Sequence, residues 1–200
     1  MNNHYYSRNP EIESSPLYWN FTLRGHNFVF KSDQGVFSKK EVDYGSRFLI
    51  DQFVPPEISG PFLDVGCGYG PIGLALAKIS QDRIVHMVDV NQRALELAEE
   101  NALHNQISNI KVYESDRFES VQENEFAAII TNPPIRAGKK IVHDILENSF
   151  YHLKQQGELW VVIQKKQGAP SAKDKLEEIF NEVEIVGKNK GYYILKAKKS

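Results

Sequence analysis

The chain has 200 residues, 41% hydrophobic and 25% charged, with a formal net charge of −2. That composition suits one soluble globular domain and excludes a protein that coats nucleic acid by bulk charge. A single cysteine, Cys67, excludes an internal disulfide framework and fits a reducing cytoplasm. The N-terminal MNNHYYSRNPEIESS lacks the apolar segment of a signal peptide, and no apolar run approaches the ~20 residues a membrane span needs.

In chain order, residues 1–20 are polar and aromatic with weak periodicity. FTLRGHNFVFKS reads as a hairpin turning at Gly25-His26-Asn27. A loop, DQGVFSKKEVDYGS, leads into a helix from about Tyr44 to Phe53, which Pro55 and Pro56 end. From Phe62 strands and helices alternate. PFLDVG, RIVHMVD, NIKVYE, FAAIIT and ELWVVIQ are strand-like; PIGLALAKIS, NQRALELAEENALHN, KIVHDILENSFYHL and SAKDKLEEIF carry helical spacing. VEIVGK and YYILKAK close the chain around Asn189-Lys190-Gly191. The pattern predicts a Rossmann-like α/β fold: a mostly parallel seven-stranded sheet with the last strand antiparallel, helices on both faces, and a short N-terminal hairpin. Residues 1–55 are expected to form an extension and 56–200 the main domain, together one compact unit.

Ligands of open parallel sheets bind beyond the carboxyl ends of the strands, and the chemistry-bearing motifs all follow strands. LDVGCGYGPIG ends the first and opens a helix; Gly68 to Gly73 satisfy G-x-G-x-x-G. Glycines let the backbone approach a ligand, and the helix N-terminus offers free N–H groups. Asp89 ends the next strand at the spacing of a ribose-binding carboxylate. Read so far, this suits a dinucleotide. Asp64, however, would oppose a pyrophosphate and welcome a cation, while Asp116, after the third strand, can accept from an adenine amine. A ribose, an adenine and an ammonium together describe S-adenosylmethionine.

The fourth strand runs into Asn132-Pro133-Pro134. A conjugated amine is a poor nucleophile until its nitrogen becomes tetrahedral, and acceptors aimed at its hydrogens favour that change. The Asn132 side-chain oxygen and the Pro133 carbonyl are two such acceptors, in a loop stiffened by consecutive prolines. Arg136, Lys139 and Lys140 follow this strand, Lys165 and Lys166 the fifth, and Lys39 and Lys40 lie in the segment before the helix that starts at about Tyr44. They predict a basic rim for RNA; scattered solvated lysines are the plain alternative. Tyr5, Tyr6, Tyr18 and Trp19 can stack on bases or simply cover a sheet edge. The six histidines lack metal-ligand spacing, so no metal is expected.

LDVGCGYGPIG, VDVN and NPPI together resemble the class I S-adenosylmethionine-dependent methyltransferases that carry NPP and modify amines. The likeness is closer to the small-subunit ribosomal RNA guanine-N2 methyltransferases, the "methyltransferase small" domain, and GVFSKKEVDYGS extends it over about residues 21–198. The resemblance implies a cofactor pocket from Asp64, Gly66, Cys67, Gly68, Gly70, Asp89, Val90, Asp116 and Asn132. Phe37, Ser38 and the residues near Asp43 and Gly45 would border it. Asn132, Pro133, Pro134 and Ile135 would hold the target amine. Two departures stand out. Ile135 replaces an aromatic that stacks on the base, leaving Phe37 and Tyr69 as substitutes. Some members also carry a second, degenerate domain ahead of the catalytic one, where this chain has a short extension. The same motif serves adenine-N6 and protein glutamine methyltransferases. A NAD-dependent oxidoreductase and a non-catalytic RNA-binding assembly factor remain rival readings.

Overall fold

The computed structural model describes residues 13–36, 38 and 40–200. Tyr5, Tyr6, Phe37 and Lys39 lie outside them.

β1 (Leu17–Leu23) and β2 (His26–Ser32) form an antiparallel hairpin with Leu23 opposite His26. The turn is Arg24-Gly25, one residue earlier than the sequence suggests. Both residues have positive φ, 48° and 78°, as a two-residue turn matched to strand twist demands. The outer edge of β2 is satisfied by a helix. Asn101 on α3 (Gln92–His104) and Asn105 at its C-cap each accept a backbone N–H and donate to a carbonyl, of Lys31 and Val29 respectively. Two side-chain amides thus stand in for a strand and blunt the exposed edge.

α1 (Tyr44–Gln52) is capped by Asp43, whose carboxylate accepts the Ser46 N–H at 3.0 Å. The main sheet contains β3 (Phe62–Val65), β4 (Val85–Asp89), β5 (Ile110–Glu114), β6 (Phe126–Thr131), β7 (Leu153–Gln164), β8 (Glu182–Asn189) and β9 (Tyr192–Lys198). Their spatial order is β5-β4-β3-β6-β7-β9-β8. β9 alone runs antiparallel, to β7 on one side and β8 on the other. α2 (Pro71–Ile79), α3 and α1 pack on one face with the hairpin; α4 (Lys139–His152) and α5 (Ala169–Ile179) cover the other. Ile130, Trp160 and Val162 face the first layer, while Ile129, Val161 and Ile163 face the second. β6 is buried along its whole length, which is why FAAIIT reads as an unbroken apolar run.

The chain leaves β3 toward β4 and β5, then returns to β6 on the other side of β3. Their register pairs Val65 with Thr131, the last residue of each. The glycine loop and the Asn132 loop therefore emerge side by side at a topological switch point, where open α/β sheets bind ligands.

β7 begins at Leu153, five residues before the strand expected at Glu158. Its pairing with β6 shifts between Phe126 and Ala128, and Gln156 has φ 67°. This bulge breaks the alternation that marks a strand in sequence. Gly157 sits in it, where a Cβ would lie 2.8 Å from the carbonyl oxygens of Lys154 and Phe126. Neither backbone oxygen can swing aside. Gly157→Ala should destabilise the fold by roughly 1–3 kcal/mol, lowering Tm by about 2–4 °C per kcal/mol. Thermal denaturation checks this; an unchanged Tm would mean that the bulge yields freely.

Candidate active site

A cavity of about 580 Å³ opens at the switch point, within the range of small-molecule sites. Val65, Gly66, Cys67 and Gly68 form one wall, Asp89, Val90 and Asn91 another, and Asn132 to Ala137 a third. Gly66 and Gly68 have φ of 76° and 56°, and nothing lies within 4 Å of where a Cβ would sit. Glycine is required for the backbone shape and leaves its surroundings open. Gly73 does a different job: a Cβ there would strike Met87 at 2.6 Å. It lets α2 pack down on β4 and does not line the cavity.

Asp89 locks the loop. Its Oδ2 accepts the Gly68 N–H and its Oδ1 the Asn91 N–H, each at 2.9 Å. Burial raises its pKa, and the N–H groups of Asn91, Gly68 and Val90 pull it back down. A carboxylate has about four lone-pair sites, and with three N–H groups on it one remains for a ligand. Asn91 caps α3 through Ala94 N–H and holds the Gly35 carbonyl with its Nδ2, bringing Val36 to the cavity.

Asp64 is fully buried and does not line the cavity. It stands just before Val65, beneath the glycine loop, where its Oδ2 accepts the Gly73 N–H at 2.8 Å. Its Oδ1 has no hydrogen-bond partner among the described residues.

Thr131 Oγ1 donates to the Val65 carbonyl at 2.9 Å, tying the two loops together. Beyond it, the Asn132 Nδ2 donates to Asp43 Oδ2 and to Ser46 Oγ, both at 3.1 Å. A carboxylate only accepts, so this network fixes the amide with nitrogen toward α1. No described residue hydrogen-bonds Asn132 Oδ1, and Asn132 lines the cavity. The Pro133 carbonyl already accepts the Ile135 N–H at 2.8 Å, which leaves it one lone pair. Pro134 and Ile135 line the same wall.

Asp116 lines the cavity but is exposed, gripped by its neighbour Arg117 at 2.8 Å. Ser38 does not line it; its hydroxyl turns to the Glu41 carbonyl. Gly70 lies off the cavity wall at φ 104°, and a Cβ there would meet Leu74 and Met87 at 3.0 Å. Phe37 is outside the described residues. Tyr69 touches the cavity but is a poor platform for a base, because its ring is buried against Trp19 and Phe30. The Cys67 thiol is buried, which pushes its pKa up. Arg136 lines the cavity mouth; Lys139, Lys140, Lys165 and Lys166 are exposed beyond it, and none of the five is in an ion pair with a described residue. No group of three or more His, Cys, Asp or Glu side chains among the described residues could hold a metal ion.

Several lining residues escape sequence reasoning. Tyr192 enters from β9 beside Gly45, where a Cβ would lie 2.8 Å from its ring. Gln164 and Gln167 arrive from the end of β7, whereas Asp43 and Ser46 line the cavity in the segment where the resemblance placed its border. Only the small residue at Gly45 hinted at a ring packed above it.

Burial pushes the Asp64 pKa up to about 7; the Gly73 N–H opposes the rise and the Asp89 charge adds to it. The native state therefore keeps a proton that the unfolded carboxylate, with pKa ~3.9, has released. Where the native state binds more protons, stability falls as pH rises. Relative to Asp64→Asn, the ligand-free parent should lose Tm steadily from about pH 4 to about 7. Parallel Tm–pH curves for the two proteins would contradict this.

The model of the methyltransferase small domain matches residues 27–196. YbxB of Bacillus subtilis is 62% identical over the full length of both chains. The ribosomal RNA small subunit methyltransferase C of Vibrio cholerae is 33% identical over 180 residues, covering 88% of this chain and 51% of that protein. Among solved structures, the Thermus thermophilus 16S rRNA N2 G1207 methyltransferase, in complex with AdoMet and guanosine, superposes with a TM-score of 0.83 at 24% identity. The alignment covers 96% of this chain and 52% of that one. This chain thus spans about half the length of the ribosomal RNA methyltransferases it matches. On the family match, which spans most of its length, the chain belongs to the methyltransferase small domain family.

Proposed function

We propose that this protein transfers a methyl group from S-adenosylmethionine to an exocyclic amine, the N2 of a guanine in small-subunit ribosomal RNA. The observation that carries the reading is the Asn132 amide, with its oxygen unpartnered beside the glycine-loop cavity. The relatives named as ribosomal RNA methyltransferases support the choice of RNA.

The residues fit the cofactor. Open space at Gly66 and Gly68 admits a ligand against the backbone, and Asp89 has a lone pair for a ribose hydroxyl. Val90, Ser115 and Asp116 would border the adenine. The buried, unpartnered Asp64 Oδ1 just below the wall suits a cationic end. When bound, the cofactor supplies a methyl carbon on a cationic sulfur, which recovers the C–S electron pair as the nitrogen forms its new bond. The chain's own part is positioning and electrostatics. Asn132 Oδ1 accepts one amine hydrogen and the second lone pair of Pro133 the other, which localises the nitrogen lone pair. The ammonium so formed releases its proton to solvent at the mouth, so no strong base is needed. Tyr192, which also lines the cavity, would supply the aromatic ring that Ile135 lacks.

Tritiated methyl transfer to ribosomal RNA from cells lacking the protein tests the reading. Asn132→Ala should lower kcat by about 10²–10³, the loss seen when one preorganised polar group is removed, with cofactor affinity little changed. Label released by nuclease and retained after protease identifies RNA; the reverse pattern would identify a protein glutamine. A second expectation concerns the rim. Lys165→Glu with Lys166→Glu should weaken RNA binding and flatten the slope of log K against log salt by about 0.7–0.9 for each phosphate no longer neutralised. An unaltered slope would remove these lysines from the interface.

A further inference from the structure

The orientation of the Asn132 amide is not set by its own loop. An amide flip exchanges oxygen and nitrogen at little local cost, yet only one orientation can accept a hydrogen from an amine. Two groups touch the Asn132 nitrogen, Asp43 Oδ2 and Ser46 Oγ, each at 3.1 Å. They are not equivalent. A hydroxyl can donate as well as accept, so Ser46 satisfies either orientation. A carboxylate only accepts, so a flipped amide would set oxygen against oxygen at Asp43. Asp43 alone discriminates.

We propose that Asp43 is a positioning residue for methyl transfer: it selects the amide orientation that turns Asn132 Oδ1 toward the target amine. The proposal rests on the reading of an amine as the substrate. Its charge also polarises the amide, strengthening Oδ1 as an acceptor. Asp43 is itself held rigidly, because Oδ2 accepts the Ser46 N–H at 3.0 Å as the cap of α1. One carboxylate oxygen thus starts a helix in the N-terminal extension and aims a side chain 89 residues away. Gly45 lies between Asp43 and Ser46, with no room for a Cβ under Tyr192, so the cap, the amide and the aromatic wall are packed as one unit.

The capping role and the orienting role separate by substitution. Asp43→Ser keeps a good helix cap, but its shorter, two-way hydroxyl neither discriminates nor reaches as far. Asp43→Asn also caps, and its amide can meet either face of Asn132. Both variants should keep Tm and S-adenosylmethionine affinity, measured by calorimetry, close to the parent. Asp43→Ser should lose about tenfold or more in kcat, as misplacement of a reacting group does, with little change in KM for the RNA. Asp43→Asn should recover part of that rate. In an Asn132→Ala background, Asp43→Ser should cost nothing further, because no amide is left to orient. Full kcat in Asp43→Ser, or the same loss in both backgrounds, would overturn the proposal. Full transfer by Asn132→Ala alone is a different failure: it would overturn the amine-holding role of Asn132, and the proposal with it.

Discussion

One register governs the site. β3 and β6 lie side by side, parallel, with Val65 opposite Thr131, and the Thr131 hydroxyl donates to the Val65 carbonyl. Both strands stop at that pair. The glycine loop and the Asn132 loop leave the sheet as immediate neighbours, bound at their roots by a buried hydrogen bond. A one-residue slip would turn every side chain of a strand to the opposite face. A slip of β6 would also carry the Thr131 hydroxyl away from the Val65 carbonyl that it meets at 2.9 Å. The register thereby fixes where the glycine loop and the Asn132 loop face each other across the cavity.

What local chemistry writes into consecutive residues was legible in the sequence. The alternation of strands and helices, the antiparallel final strand, the glycine loop and the strand-end Asp89 all follow from short patterns. The structure adds what short patterns hide. Asp64 stands just ahead of the glycine loop but lies beneath the wall, because its position in the middle of a short, fully buried strand outweighs its affinity for solvent. Tyr69 sits among the glycines and still belongs to the core, drawn in by Trp19 and Phe30. Tyr192 and Gln164 reach the cavity from the far end of the chain, opposite each other in the β7–β9 register. The link between Asp43 and Asn132 spans 89 residues; a helix cap looks the same in sequence whether or not it also aims a side chain.

The N-terminal extension builds the site as much as it covers the sheet. The α3 amides that satisfy β2 include Asn101, whose Nδ2 also reaches the Tyr69 carbonyl in the glycine loop at 2.9 Å. Asp33 draws in the Ser14 hydroxyl and the backbone of Ser15 and Gln34, and Asn91 holds the next carbonyl, at Gly35. Hairpin, glycine loop and α3 are thus joined by polar contacts, of which those of Asn91 to Gly35 and Asn101 to Tyr69 are buried. Such contacts are costly to break, which makes a rigid wall from a segment whose sequence is only weakly periodic.

The charges divide by depth. Carboxylates, Asp64 and Asp89, lie inside, where burial raises both pKa values. Cations, Arg136 and the lysines after β6 and β7, stand at the mouth and beyond it. A net charge of −2 conceals this separation. Buried carboxylates are expensive unless a cation or hydrogen bonds compensate them. Asp89 has such bonds; Asp64 has one, and an oxygen left over. A sulfonium ligand with an ammonium group would bring the missing positive charge into the interior, while a polyanionic partner would meet the rim outside. A dinucleotide would do the opposite, setting phosphates over a carboxyl whose ionisation they would oppose. The electrostatic layering therefore agrees with the family match in favouring a cationic cofactor and argues against the dinucleotide that the glycine spacing alone would admit.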